Sequence, residues 1–235
     1  IVSYVSMDHS FQAINLTKQA LQFSSGPAQT HRMLTIYHAP LTRSVRILWL
    51  CEELALPYEK QLVDFSAEYR ATPQWRRMNP VGKVPVMTDG DLKLFESGAM
   101  LQYVLERYGN GRLQADPGSD AQALFLQWCW FAEATFARPV GEIVNHRRAF
   151  AKADRSDAVL KEMSDRVQLC CDALEGELSN RPYIVGGSFS AADIMMGYTI
   201  MLVEKVTPAT LGSHLAEYWQ RLQSRPGFQA ATADS

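Results

Sequence analysis

The chain has 235 residues, 47% of them hydrophobic and 20% charged, with a formal charge of −2 at neutral pH. That composition and length suit a globular protein with one large or two small cores, and the charge recommends neither nucleic acid nor an anionic membrane as a partner. No apolar run approaches the ~20 residues of a membrane span, and the four cysteines, Cys51, Cys129, Cys170 and Cys171, show neither a CxxC pair nor a metal-ligand spacing with histidine. They read as reduced, buried side chains, which fits a cytoplasmic location.

Residues 1–32 stand apart. They close on a small, polar run and carry only Asp8, Lys18 and Arg32 as full charges. The segment lacks the basic region, long apolar stretch and cleavage site of a secretory signal. It reads as an extension outside the folded unit, expected to be mobile, with Met33 opening the domain.

From Met33 the pattern becomes regular. Leu34-Thr35-Ile36-Tyr37 is a β-type run, with Tyr37 as a core residue of the strand. After Pro40, residues Thr42 to Leu54 show helical spacing, closed by Leu56-Pro57. Tyr58 to Phe65 alternates well enough for a second strand, and a polar, proline-containing connection leads to Val81. Val84-Pro85-Val86-Met87 and Leu92 to Phe95 flank an Asp89-Gly90 pair, a strong short-range hairpin signal. A helix then opens at Glu96-Ser97. The order is β-α-β, a connection, then β-β-α, which suits a small mixed sheet covered by helices.

Gly, Pro, Asn and Asp cluster over 110–118, and periodicity disappears there. A domain over 33–109, a linker over 110–118 and a second domain over 119–235 follow. Beyond the linker almost everything reads as helix. Ser119 to about Arg147 is long and aromatic, with Pro139-Val140-Gly141 expected to kink it. Ser156 to Leu178 has one apolar stripe. Ser190 to Val206 is apolar nearly all round, so it should be a buried central helix. Its start is a capping box, Ser190 with Asp193 three residues on. A short amphipathic helix over Ser213 to Ser224 ends at Arg225-Pro226-Gly227.

A β-α-β/β-β-α domain of thioredoxin-like type followed by an all-helical domain resembles the cytosolic glutathione transferases. The motifs agree in order. Asn79-Pro80-Val81-Gly82-Lys83-Val84-Pro85 resembles the family's segment ending in a cis-proline. Phe95-Glu96-Ser97-Gly98-Ala99-Met100 is similar to the motif opening its third helix, and Ser188 to Ile194 to its capping-box segment. The resemblance spans about Met33 to Phe228.

It implies a soluble homodimer with glutathione as co-substrate and no other cofactor. It also implies a second substrate that is a small electrophile or a hydroperoxide. Ser97 at a helix N-terminus would receive the γ-glutamyl carboxylate, and Glu96 would face the ammonium. Val84, held by a cis Pro85, would offer its backbone to the cysteinyl part like an added strand, and Lys83 would reach the glycyl carboxylate. Catalysis needs the thiol activated, since a free thiol has a pKa of ~8.5. Counting back four residues from Arg46, as in serine-type members, lands on Thr42, with Ser44 the runner-up. Tyr37 lies nine residues before Arg46, fewer than tyrosine-type members show. Arg46 reads as an ion-pair partner. Trp128, Phe131 and Arg138 are candidate lining residues for the electrophile, and His38 and His146 show no partner. Two other functions remain open at this point: a non-catalytic regulator or scaffold, and a glutathione-dependent peroxidase.

Overall fold

The computed structural model describes residues 33–234, so the extension expected over 1–32 lies outside the described residues. Four strands form one sheet in the order β2-β1-β3-β4: β1 Leu34–His38, β2 Tyr58–Leu62, β3 Val86–Asp89 and β4 Leu92–Phe95. β1 and β2 run parallel, which requires a crossover, and α1 (Ser44–Leu54) supplies it. β3 is antiparallel to both β1 and β4, and the Asp89-Gly90 hairpin joins it to β4 with Gly90 at φ +60°. Pro85 precedes the first paired residue of β3, so it removes no ladder bond from this interior strand. The Val84–Pro85 peptide is cis.

The connection over 66–78 holds two short helices that the sequence pattern does not announce, α2 (Ala67–Ala71) and α3 (Pro73–Met78). Ser66 and Thr72 cap them, and Pro73 occupies the first turn, where its missing N–H costs nothing. They cover one face of the sheet. Trp75 packs there with Ala39, Val84 and Val86, and Tyr37 meets the Trp75 ring edge-on at 6.0 Å. The other face carries α1 and α4 (Ser97–Tyr108), whose buried sides join the large core of the helical part.

That part consists of α5 (Asp120–Trp130), α6 (Ala137–Ala149), α7 (Asp157–Leu178), α8 (Ala191–Val206), α9 (Ser213–Gln223) and α10 (Pro226–Ala231). A single wide π-helical turn, Phe131–Phe136, joins α5 to α6. The irregularity therefore lies a turn before the kink expected at Pro139. A proline cannot donate to the carbonyl four residues back, here Thr135, and its ring crowds that carbonyl. The widened turn ends where the crowding falls, and α6 continues through Pro139. α9 ends before Arg225-Pro226-Gly227 as expected, and Pro226 then opens the short α10.

α8 is the buried centre, with the expected capping box at its start. Asp193 accepts from the Ser190 N–H at 2.7 Å, the Ile184 N–H at 2.9 Å and the Tyr218 hydroxyl at 2.8 Å. One carboxylate thus fixes the start of α8, the preceding turn and α9. Removing it leaves several buried donors unpaired. Asp193→Ala should cost about 3 kcal/mol, read as a lower urea midpoint with an unchanged m-value; a loss below about 1 kcal/mol would show that water replaces the carboxylate.

Candidate active site

The sheet register brings three chain segments to one edge. Tyr37 pairs with Val86, so the loop leaving β1 at His38 runs beside Val84 and Pro85. Val86 also pairs with Phe95, so the chain leaving β4 passes Glu96 into α4 on the other side of Pro85. Thr42, Val84 and Ser97 therefore come from distant sequence positions to a single sheet edge. Val84 lies ahead of the paired part of β3, and its side chain is buried beneath the loop with Ala39.

Glu96 has φ +78° and ψ 106°, a region that a non-glycine residue occupies only under strain. Its side chain does not cap α4. The first N–H groups of α4, beginning at Ser97, consequently face outward with the positive end of the helix dipole behind them. Ser97 is buried, and its hydroxyl oxygen accepts from Arg46 Nη1 at 3.1 Å, which leaves the hydroxyl hydrogen for an acceptor.

Arg46 is fully buried on α1. It pairs with Glu133 in the π-helical turn, donates to Thr199 Oγ1 at 3.1 Å and to the Met195 carbonyl at 3.3 Å, and lies 4.8 Å from the Tyr198 ring centre. Arg43 donates to both oxygens of Glu133, at 2.8 and 3.0 Å. Burial alone would raise the Glu133 carboxyl, but Arg46 and Arg43 outweigh it and hold the group below its ordinary value. Lys83 titrates below an ordinary lysine, through burial and then through Arg70, Arg148 and Arg43 nearby. Four cations thus surround the site of a chain whose net charge is negative.

The two candidate hydroxyls differ in access. Thr42 is 9% exposed, whereas Ser44 is wholly buried behind it. Their oxygens lie 2.6 Å apart, and Thr42 Oγ1 is 2.7 Å from the Ala39 carbonyl. Ser44 Oγ also lies 2.7 Å from His38 Nδ1, and His38 Nε2 lies 3.2 Å from Asp234 Oδ1. His38 therefore has partners on both ring nitrogens, contrary to the sequence reading. His146 also has one, since its Nε2 accepts from the Ser156 N–H at 2.9 Å.

The residues expected to line the electrophile pocket do not share one cavity. Trp128 faces the core and stacks edge-on against half-buried Phe131 at 5.2 Å. Arg138 lies in a separate groove of about 560 Å³ between α6 and α7, alongside Glu142, Met163 and Arg166. The cavity of about 390 Å³ that reaches Glu96 is lined instead by Leu126, Cys129, Trp130 and Glu133. A step of two residues on a helix turns a side chain through roughly 200°, which is why Trp130 faces out where Trp128 faces in. Glu133 and Asp234 went unread, and His38 was read without its partners. A lone acidic residue on an apolar helix face was the available signal for Glu133; no local pattern marks the other two.

Comparison with known proteins agrees with this architecture. The profile described as "Glutathione S-transferase, N-terminal domain" matches residues 32–106, and that described as "Glutathione S-transferase, C-terminal domain" matches 137–226. Glutathione S-transferase 3 of Schizosaccharomyces pombe is 27% identical, over 85% of this chain and 86% of its own. Glutathione S-transferase F10 of Arabidopsis thaliana is 26% identical, over 86% and 97%. A theta class enzyme from Xanthomonas axonopodis pv. citri, solved with glutathione bound, superposes with a TM-score of 0.74 at 26% identity, covering 86% of this chain and 96% of its own. The sheet with its helical partner, read with these matches, defines a glutathione-transferase fold. The chain belongs to the glutathione transferase family.

The strain at Glu96 is open to test. Glu96→Gly should raise the unfolding free energy by about 1 kcal/mol, because glycine adopts this backbone without a Cβ clash and the relief exceeds its added chain entropy. A fall in the thermal midpoint would mean that the carboxylate contributes more than the strain removes.

Proposed function

We propose that the chain catalyses glutathione transfer, ionising the glutathione thiol for attack on a small electrophilic molecule. The observation that supports this best is the sheet edge where Thr42, Val84 and Ser97 converge. The α-carboxylate of the γ-glutamyl end would sit on the Ser97 hydroxyl and the first N–H groups of α4, with the Glu96 carboxylate toward the ammonium. The cysteinyl backbone would add alongside Val84 and Pro85 as an extra strand. Lys83, within the cationic field of Arg70, Arg148 and Arg43, would draw in the glycyl carboxylate.

This arrangement would leave the thiol near the loop after β1, where Thr42 is 9% exposed and Ser44 0%, so Thr42 carries the outer of the two hydroxyls. A hydrogen bond to sulfur favours the thiolate, the species that attacks. Arg43 and Arg46 add positive charge on the same side. The reaction gains from a larger thiolate fraction at neutral pH and from holding sulfur and electrophile together.

A homodimer is the assembly we propose. Trp130 is 67% exposed and Leu126 37% exposed on α5, beside the outward face of α4, and apolar surface of that size suits coverage by a second copy. Trp130→Glu should then convert the dimer to monomer in analytical ultracentrifugation, while an unchanged sedimentation coefficient would place the interface elsewhere.

Glutathione at 100 times its dissociation constant should stabilise the fold by ~2.7 kcal/mol, visible as a raised melting temperature. Absence of any shift at millimolar glutathione would remove the site assignment. Thr42→Val should keep that shift and lower kcat/KM for a nitroaromatic halide by about tenfold or more, the loss of one charge-assisted hydrogen bond. Retained binding with no conjugation and no hydroperoxide reduction in the wild type would instead describe a scaffold.

A further inference from the structure

Behind the hydroxyl of Thr42, the outermost of the group at 9% residue exposure, lies a continuous polar chain. Thr42 Oγ1 and Ser44 Oγ are 2.6 Å apart, Ser44 Oγ and His38 Nδ1 2.7 Å, and His38 Nε2 and Asp234 Oδ1 3.2 Å. The outer member borders the site; Ser44 and His38 are wholly buried, at 0% exposure. Asp234, three residues beyond α10, keeps a side chain 30% exposed and binds Lys60 Nζ at 2.8 Å through its other oxygen.

We propose that this chain is a proton relay, in which His38 accepts the glutathione thiol proton through Thr42 and Ser44 while Asp234 holds the imidazole. The reading rests on the proposed glutathione site and deepens it.

Hydrogen-bond bookkeeping sets the direction. Asp234 as a carboxylate only accepts, so Nε2 carries a hydrogen and donates to it. Nδ1 of the neutral ring is then a lone pair, and Ser44 donates to it. The Thr42 hydroxyl hydrogen points inward, to Ser44 Oγ or to the Ala39 carbonyl 2.7 Å away. Its free lone pairs face the thiol. On ionisation the S–H proton passes to Thr42 Oγ1, the Thr42 proton to Ser44 Oγ, and the Ser44 proton to His38 Nδ1. Sulfur keeps the bonding pair as thiolate, both hydroxyls are restored, and the imidazolium stands against Asp234. Thr42 now directs a hydrogen at the thiolate. The same event that removes the proton creates the hydrogen bond that stabilises the anion. After the conjugate leaves, the Nδ1 proton returns through Ser44 and Thr42 to water in the vacated site, which restores both hydroxyls and the Nε2–H tautomer.

The groups facing His38 leave the ring neutral before the transfer. Burial lowers its pKa and weakens it as a base, the Asp234 carboxylate opposes that, and Lys60 of β2 adds to the lowering, so the net direction is downward and the ring is neutral at physiological pH. Burial disfavours the Asp234 carboxylate, but Lys60 and His38 hold it below its ordinary value, so it is ionised when the imidazolium forms. Neither His38 nor Asp234 touches sulfur. They are positioning residues acting through the two hydroxyls.

The decisive variant is His38→Asn, whose amide oxygen can still accept from Ser44 but cannot take a proton. Two readouts report the bound thiol's apparent pKa: the thiolate ultraviolet absorbance of the binary complex, and the pH profile of kcat/KM. It should rise by about one unit, an approximately tenfold loss of kcat/KM at pH about 6.5, with KM for glutathione nearly unchanged. Above the thiol's own pKa the variant and wild type should converge. Ser44→Ala cuts the relay in the middle and should give the same displaced profile, and Asp234→Asn a smaller displacement; these two decide the matter if His38→Asn does not fold. An unshifted thiol pKa in the folded variants overturns the relay. A shift in Thr42→Val alone would overturn the relay and leave the site reading intact, whereas wild-type protein that binds no glutathione would remove both.

Discussion

A guanidinium with no solvent exposure organises the middle of this molecule. Taking an arginine out of water is costly unless charge and hydrogen bonds replace the lost hydration. Arg46 on α1 finds the charge in Glu133 and further acceptors in Ser97, Thr199 and the Met195 carbonyl. Those partners belong to α4, α8 and the π-helical turn, so satisfying one cation fixes how these elements meet. Removing Glu133 would leave a buried charge unpaired, whereas removing a surface partner such as Asp165 from Lys161 would change little. The cluster also couples the fold to the site. Arg46 fixes Ser97 from behind, and Arg43 shares Glu133 while bordering the loop of Thr42.

The same cluster shows why net charge was a poor guide to the ligand. The chain is slightly acidic overall, yet Lys83 is depressed by partial burial and then by Arg70, Arg148 and Arg43, so four cations gather here. These residues come from the segment before β3, from α2, from α6 and from the entry to α1. Electrostatic recognition depends on where charges fold together, and a field over one sheet edge disappears in a sum over the whole chain. The proposed tripeptide ligand, with two carboxylates, has the charge that local field would attract.

Legibility followed the range of the physics. The strands, the Asp89-Gly90 hairpin, the helix opening at Ser97 and the capping box at Ser190 all depend on neighbours within a few residues, and the sequence displays them. The short helices that proline opens were not read. At Pro73 and Pro226 it starts a helix from the first turn, and composition alone does not distinguish a start from a stop. The π-helical turn was hidden because periodicity is a sum over several turns and one extra residue only dephases it. The Glu133 pair with Arg46 and the approach of Asp234 to His38 were illegible, the latter spanning 196 positions.

Position 42 shows how a local rule can hold and still mislead. Threonine's branched Cβ restricts its rotamers, which argues against it where a hydroxyl must adapt to a bound thiol. The structure gives that hydroxyl two fixed inward partners, the Ala39 carbonyl and Ser44 Oγ. A side chain free to rotate would lose both and expose the chain behind it. Restriction keeps that oxygen in contact with the interior, as the proposed relay requires. Stiffness that would handicap an isolated hydroxyl donor therefore serves one that must receive from one side and give to the other.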